Sequence, residues 1–164
     1  MRTPCPGAPS NKQNATLNMK ALSDAELIQL ATEWAEAFAK CVRERDFFAA
    51  KQLFCAHVHS YGTRAVEANG LEQLVEQQWT PTWNRTRGFE HLPGSLDVQL
   101  SGDGSLAIVC ARWASEGVDT PERWGQQAPY RRSGRCTYAL TGDGSGDWRC
   151  VHTHFSLDPS AGPN

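Results

Sequence analysis

The segment from Trp148 to Ser156 carries the side chains best suited to chemistry. Side chains alternate between the two faces of an extended strand, so this spacing predicts one shared face. Imidazole titrates near neutral pH, which makes His152 and His154 the candidate catalytic acid and base. The alternative is a hydrogen-bonded structural pair that fixes the end of a sheet. The residues predicted to share the face are Trp148, Cys150, His152, His154 and Ser156.

Arg112 is the main candidate for ligand binding. It follows Leu106, Ile108 and Cys110 at alternating positions, so the pattern places a guanidinium on an otherwise apolar face. A buried charge needs a partner, which is either an internal carboxylate or an anionic ligand. The planar guanidinium binds a carboxylate through two parallel hydrogen bonds. Arg135 is a second possible donor, although its parity favours the opposite face of its own strand.

Three aromatic residues complete the predicted cavity wall: Trp34, Tyr61 and Trp148. Trp34 lies on the apolar stripe of a predicted helix, which is also typical of a core residue. The Tyr61 hydroxyl could donate to a ligand oxygen. The adjacent Gly62 indicates a bend, so a structural corner is an equal alternative.

Two His-x-His pairs, at His57/His59 and His152/His154, raise the possibility of a metal site. No carboxylate or cysteine accompanies them at a familiar ligand spacing. We therefore predict no metal and no other cofactor.

Composition limits the class of protein. A chain of 164 residues with a net charge of −2 is typical of one globular domain and lacks the basic character of a nucleic-acid surface. No apolar run approaches the roughly 20 residues that span a bilayer. The first ten residues lack the hydrophobic segment of a secretory signal, and the six cysteines form no Cys-x-x-Cys motif. Reduced thiols and a cytoplasmic location are the resulting predictions.

The first half of the chain predicts helices. Ser23 and Glu26 have the spacing of a capping box, which begins an amphipathic helix over 24–44. Asp46 can cap a short second helix. A short strand over 56–62 and a third helix from Gly70 follow, the latter ending at Pro81. Residues 1–20, rich in Pro, Asn, Ser and Gly, predict a disordered tail, and 161–164 a short one.

The second half predicts strands. Residues 96–100 alternate between apolar and polar, and the runs 106–113, 131–140 and 148–156 are separated by Gly/Asp-rich turns or a looser loop. Helices followed by an antiparallel meander indicate an α+β fold with a curved sheet over the helices. The apolar run 107–113, at the positions opposite Arg112, means that both sheet faces are covered. A homodimer through the sheet follows as a prediction.

This order of elements, together with several short motifs, resembles the nuclear transport factor 2-like superfamily over about residues 22–159. Within it the chain is similar to the SnoaL-like group and to the association (hub) domain of calcium/calmodulin-dependent protein kinase II. The resemblance implies a SnoaL-like domain over 21–160, built as a cone-shaped, curved antiparallel sheet packed on N-terminal helices. The motifs are Tyr61-Gly-Thr63, Gln78-Trp79 with Trp83, Gly88-Phe89, Gly134-Arg135, and Trp148 to Ser156 before Pro159.

Function does not follow from this fold, because its members include isomerases, cyclases, dehydratases, transport adaptors and oligomerising hubs. The hub domain has an arginine at the position matching Arg112 and binds small carboxylates there. Steroid isomerases of this fold use a pocket carboxylate, whereas Asp97 lies on the polar face of its predicted strand. An isomerase is therefore disfavoured.

The sequence thus predicts a protein that binds a small organic anion or polyketide-like molecule, with or without histidine-assisted turnover. One alternative is a non-catalytic oligomerisation module like the hub. The other is an isomerase, cyclase or dehydratase.

Overall fold

A computed structural model describes residues 22–63 and 67–159. Both predicted tails, 1–20 and 161–164, lie outside the described residues. Within the described residues, two helices, two strands and a third helical segment precede five further strands. The seven strands form one sheet that curves over the first helix. The predicted α+β fold is confirmed.

Helix α1, Asp24–Glu44, begins at the predicted capping box. The Ser23 hydroxyl accepts from the Glu26 backbone N–H, and the Glu26 carboxylate accepts from the Ser23 backbone N–H at 2.8 Å. The helix ends at Arg45 in the left-handed conformation, with φ 55°. Its apolar stripe is buried against the sheet: Leu27, Ala31, Trp34, Ala35, Phe38, Ala39, Cys41 and Val42.

Helix α2, Phe47–Gln52, is capped by Asp46 as predicted. The third helical segment runs without interruption through α3, Leu71–Gln73, a π-helical stretch, Leu74–Trp79, and α4, Thr80–Trp83. The prediction that Pro81 ends this segment was wrong. Pro81 occupies the first turn of α4, directly after the wide π-helical turns, where a missing backbone N–H is tolerated.

The strands form one sheet in the order β2-β1-β7-β6-β5-β3, with β4 also paired to β5. Strands β1 and β7 are parallel, and the other pairs are antiparallel. Because β2 and β3, at the two ends of this order, do not pair with each other, the sheet is not closed. The strands are β1 Phe54–Tyr61, β2 Glu67–Asn69, β3 Thr86–His91, β4 Asp97–Leu100, β5 Leu106–Gly117, β6 Tyr130–Thr141 and β7 Arg149–Leu157.

Sequence patterns did not predict β2 or β3. Strand β2 is only three residues long. Strand β3 contains Gly88 at φ 59°, and its register against β5 shifts between Arg87 and Glu90. This irregularity breaks the two-residue alternation from which strands are recognised.

Strand β5 defines the two faces of the sheet. Ala107, Val109 and Trp113 are buried on the inner face, which packs on α1. The outer face carries Leu106 and Arg112, both exposed. The predicted assignment of faces was inverted, because alternation in a strand with two apolar faces does not show which one meets the helices. The apolar run that was expected to need a partner is covered by the chain's own helix.

Phe38 lies at the centre of the core that joins α1 to the inner face. It contacts five aromatic rings with centroids 5.3 to 6.0 Å away. Burial of each such ring contributes roughly 2–3 kcal/mol. The rings are those of Trp34, Phe54, Trp79, Trp83 and Tyr138.

Two observations concern the predictions of reduced thiols and of a cytoplasmic location. Each of the five described cysteines is a free thiol. None of the helices in the described ranges has the length and apolar character needed to span a bilayer. The cytoplasmic location stays a prediction.

Candidate functional site

A register shift in β7 divides the residues that were predicted to share one face. Cys150 pairs with Leu140, but His152 pairs with the next residue of β6, Ala139, so β7 has one residue more than its partner here. Such a bulge reverses the facing of the side chains beyond it. Trp148 and Cys150 are therefore buried, whereas His152, His154 and Ser156 lie on the outer face. The predicted common face was wrong.

Both arginines chosen from the sequence also lie on the outer face. The side chains of Arg112 and Arg135 are 61% and 63% exposed, and both approach Asp158, at 3.5 and 3.9 Å. Arg112 and Arg135 are cross-strand neighbours in β5 and β6. The expectation that Arg112 faces the interior was wrong, because the two faces of β5 were assigned in reverse.

The aromatic candidates are spread over three places. Trp34 is in the core, and its indole N–H donates to the Leu53 carbonyl at 3.2 Å. The indole of Trp148 donates to the Leu27 carbonyl of α1 at 3.3 Å. Tyr61 is 45% exposed on the outer face.

A cavity of about 80 Å³ lies between α1, the π-helical stretch, α4 and the inner face of the sheet. None of the site residues predicted from the sequence lines it. Most of its wall area is apolar. It is lined by Phe38, Val42, Gly62, Thr63, Gln78, Trp79, Thr82, Trp83, Thr86, Phe89, Trp113, Ser115, Arg132, Thr153 and Phe155.

Arg132 supplies the cavity's positive charge and is only 8% exposed. Its guanidinium donates to the Thr86 hydroxyl at 3.3 Å and to the Thr63 hydroxyl at 3.2 Å. The guanidinium carbon is 5.7 Å from the centroid of the Trp113 ring, within cation–π range. These contacts fix the position of the charge at the wall.

Ser115 faces Arg132 directly across the β5–β6 pair. It is 5% exposed, and its hydroxyl has no hydrogen-bond partner among the described residues. A buried hydroxyl without a partner costs about 1–3 kcal/mol, so native proteins rarely contain one. Ser115 is one of the residues that line the cavity.

The π-helical stretch shapes another part of the wall. The Gln78 amide oxygen accepts from the Ser60 hydroxyl at 2.7 Å, and its amide N–H donates to the Ser60 carbonyl at 3.2 Å. Ser60 also bonds the Thr153 hydroxyl at 2.7 Å. Single π-helical turns frequently occur at functional sites.

Sequence reasoning missed Arg132 and Ser115. Arg132 was assigned to a solvated strand start, as part of Tyr130-Arg-Arg-Ser133. Its parity with Cys136, Tyr138 and Leu140, all buried, was the signal that it faces inward. Ser115 falls beyond the predicted end of its strand, so no face was assigned to it.

The wall of this cavity, as far as residues 22–63 and 67–159 form it, contains no Asp, Glu, His, Cys or Tyr. Those side chains perform most general acid–base catalysis. Among the lining side chains, hydroxyls, an amide and a guanidinium are the polar groups present. The arrangement is suited to recognition of a ligand's polar atoms.

A second polar group lies in the core, apart from the cavity lining. The His91 Nε2 atom is 2.9 Å from the Tyr138 hydroxyl, and His91 Nδ1 has no hydrogen-bond partner in the described part of the chain. Burial, with the nearby Arg43 charge, lowers the pKa of His91 to about 4. Burial also raises the pKa of Tyr138 well above its usual value. His91 is therefore neutral at pH 7.

The outer-face cluster consists of His59, Tyr61, Glu67, His152 and His154. The Nδ1 atoms of His59 and His152 are 3.2 Å apart, and His59 Nε2 is 2.9 Å from a Glu67 carboxylate oxygen. The Tyr61 ring centroid is 5.7 Å from that of His154. Partial burial, followed by the neighbouring imidazoles, lowers the pKa of His152. The hydrogen bond from His59 lowers the pKa of Glu67.

A curved sheet over a long helix, with a small, mainly apolar cavity between them, defines an α+β protein. Residues 29–159 match the SnoaL-like domain family, and the chain belongs to that family. No curated protein matches the chain significantly.

Solved structures with the same fold cover most of the chain. A nuclear transport factor 2-like superfamily protein from Salmonella enterica serovar Typhimurium is 18% identical, with a TM-score of 0.69, over 85% of this chain and 96% of that one. The CaMKII hub of S. rosetta is 20% identical, with a TM-score of 0.61, over 79% and 95%. A putative dehydratase from Streptomyces avermitilis is 13% identical, with a TM-score of 0.67, over 84% and 100%. At these identities the likeness shows the fold alone.

Proposed function

We propose that the protein binds a small organic anion in the cavity between α1 and the inner face of the sheet. The anion would accept hydrogen bonds from Ser115 and Arg132, and its apolar body would pack on Trp79, Trp83 and Phe89. The observation that carries the proposal is the buried Ser115 hydroxyl, which faces Arg132 and has no partner among the described residues.

The charge and shape of the wall favour a carboxylate. The Arg132 guanidinium is planar and presents parallel N–H donors, which match the two oxygens of a carboxylate. A hydroxyl beside it can donate to one of the same oxygens. Hydrogen bonds of this kind to an ionised group contribute about 1.5–3 kcal/mol each.

The volume favours a small ligand over a polyketide-like one. The cavity of about 80 Å³ is roughly half the 150 Å³ of an engineered protein cavity that holds benzene. Its aromatic walls suit a short unsaturated or aromatic body. A monocarboxylate of benzoate size or less, partly reaching the cavity opening, is the expected class.

Binding without turnover is the form of the proposal that the cavity supports. None of its described lining side chains has the acid–base character that dehydratases or isomerases need. The candidate catalytic residues His152 and His154 lie on the outer face, separated from the cavity by the sheet. The putative enzyme names among the structural neighbours therefore support turnover less strongly than this geometry supports binding.

Calorimetric titration with benzoate, and with benzamide as its neutral counterpart, tests the proposal. Benzoate should bind and benzamide should bind at least tenfold more weakly, because only the former carries the charge. Ser115→Ala and Arg132→Gln should each weaken benzoate binding at least tenfold. Arg132→Lys, which keeps the charge and loses the planar fork, should give an intermediate loss.

Arg112→Ala and Arg135→Ala are the matched controls, since each removes one positive charge from the outer face. Both should bind benzoate within about twofold of the unsubstituted protein. Loss of binding in Arg112→Ala with retention in Ser115→Ala would contradict the cavity assignment. So would equal binding of benzoate and benzamide.

The predicted homodimer remains a proposal, now through the outer face. Tyr61 and Leu106 are large hydrophobic residues left 45% and 37% exposed there. Sedimentation of the unsubstituted protein should give a dimer, and Leu106→Glu should shift it to monomer. Phe48→Glu is the control that should remain dimeric, since Phe48 is 79% exposed but lies on α2 and not on the sheet. A monomer at micromolar concentration would contradict the proposal, and an assembly larger than a dimer would favour the oligomerisation module.

A further inference from the structure

Two histidines from different parts of the sequence meet on the outer face. His59 of β1 and His152 of β7 are register partners, and their Nδ1 atoms are 3.2 Å apart. The ring planes differ by 12°, and the ring centroids are 5.3 Å apart. Because the centroids are much farther apart than the nitrogens, the rings meet edge to edge, with nitrogen facing nitrogen.

We propose that His59 and His152 form a binding site for a divalent transition-metal ion of the zinc class, coordinated by the two Nδ1 atoms. Two imidazole nitrogens at this separation need either a shared proton or another cation between them. Imidazole nitrogen is a preferred ligand of Zn²⁺ and of its neighbours in the first transition series.

The separation of the nitrogens fits such an ion. Nitrogen ligands bind zinc at about 2.0–2.1 Å in tetrahedral geometry, which places two of them roughly 3.3–3.4 Å apart. The observed 3.2 Å requires only a slight opening of the pair. Coordination would replace the proton that bridges the nitrogens in an imidazole–imidazole hydrogen bond.

Glu67 supplies the outer partner that metal-binding histidines usually have. Its carboxylate accepts from His59 Nε2 at 2.9 Å, so Nε2 carries the ring proton. The Nδ1 lone pair of His59 is then directed at His152. A carboxylate that fixes the tautomer and raises the basicity of a ligating histidine recurs in metal sites.

The site would hold its ion loosely. Nowhere in the described ranges do three or more His, Cys, Asp or Glu side chains converge as a closed metal site requires. The remaining coordination positions would be filled by water, which makes the ion exchangeable rather than structural. His154 and Tyr61 flank the pair on the same face.

The structure also shows why the sequence argued against a metal. Neither His-x-His pair acts as a unit, because each contributes one histidine to the site. The carboxylate comes from β2, eight residues after His59, and not from a familiar ligand spacing. Pairing of β1 with both β2 and β7 brings the three side chains together.

Calorimetric titration of the full chain with ZnCl₂ in metal-free buffer tests the site. One ion per chain is expected. His59→Ala and His152→Ala should each weaken zinc binding at least tenfold, and Glu67→Gln about tenfold, as loss of such outer partners does elsewhere. His152→Gln keeps a polar side chain and should lose zinc binding to the same extent. This variant separates loss of the imidazole ligand from a defect in folding.

His57→Ala and Cys110→Ser are the controls. They remove another β1 histidine and a half-buried outer-face thiol, and both should bind zinc like the unsubstituted protein. The cobalt-substituted protein should lack thiolate-to-metal charge-transfer absorption. Zinc binding that survives in His59→Ala and His152→Ala, a thiolate band with cobalt, or half an ion per chain would overturn the assignment.

Discussion

The two faces of the sheet differ in how closely each position is constrained. On the inner face, Phe38 and Tyr138 are surrounded by other rings, and even the polar Arg132 is held by two hydroxyls. On the outer face, Arg112 and Arg135 are mostly exposed and share Asp158 at long range. On the inner face the charged group is therefore part of the packed core, whereas the stability of the outer face should depend little on Arg112 and Arg135. Pairs of substitutions, one at a tightly packed position and one at a less constrained position, measure this contrast through their effects on stability.

The largest contrast is expected between the neighbours Gly134 and Arg135 of β6. A Cβ atom at Gly134 would lie 1.9 Å from the Ser156 carbonyl oxygen and 2.9 Å from the Trp113 ring. Gly134→Ala should destabilise the fold by about 5 kcal/mol or more, enough to prevent folding of a typical domain. Arg135→Ala should change stability by about 0.5 kcal/mol or less. Urea denaturation distinguishes the two, and a folded Gly134→Ala protein of ordinary stability would show that β7 can move away.

A second pair compares two phenylalanines. Phe38 is 3% exposed among five rings, whereas Phe48 is 79% exposed. Phe38→Ala should cost about 4 kcal/mol from lost burial and the cavity left behind. Phe48→Ala should cost less than about 0.5 kcal/mol. Comparable losses in the two variants would mean that α2 is covered in solution, for instance by a second copy of the chain.

The third contrast compares how the buried His91 and the exposed His57 affect the stability of the protein at acidic pH. Burial lowers the pKa of His91 to about 4 in the folded state, below the usual 6.5. The unfolded chain therefore takes up the proton first, and stability that is complete above pH 6.5 falls as the pH approaches 4. The loss is at most about 3 kcal/mol. His91→Gln should reduce this slope in urea denaturation, and His57→Gln should leave it unchanged. An unaltered slope in His91→Gln would assign the acid sensitivity to other groups.

Much of the fold was predictable because local patterns and packing agree. The capping box of Ser23 and Glu26, the stripe of α1 and the Gly/Asp turns each determine structure within a few residues. The SnoaL-like resemblance then supplied the arrangement of the elements. Irregular local structure was not predictable: the π-helical turn past Pro81 and the bulge near Gly88 follow no simple period.

The candidate site was harder to predict, because a one-residue irregularity exchanges the two faces. Because β7 has an extra residue, His152 points outward while Cys150 remains buried. The residues that were predicted to share one face are therefore divided between the two faces. In β5 both faces are apolar, and the sequence contains no local signal for which meets α1. Arg132 was recognisable in principle from its parity with Tyr138. The missing partner of the Ser115 hydroxyl is a property of tertiary structure alone.

The smallest expected effect distinguishes a binding residue from a structural one. Ser115→Ala removes a hydroxyl that has no partner in the described residues, so the ligand-free protein should lose no stability and gain at most about 1 kcal/mol. Ser133→Ala is the control on β6, because the Ser133 hydroxyl donates to Asp158 at 2.9 Å and its loss should destabilise by about 1 kcal/mol. Thermal denaturation without ligand checks both. A clear destabilisation by Ser115→Ala would show that the hydroxyl has a structural partner.

The central claim is that the inner cavity, and not the outer face, holds the organic anion. A crystal structure of the protein soaked with benzoate tests it most directly. We predict carboxylate density within hydrogen-bonding distance of the Ser115 hydroxyl and the Arg132 guanidinium, with the ring against Trp79 and Trp83. Benzoate bound instead beside Arg112 and Arg135, with the cavity unchanged, would contradict the account.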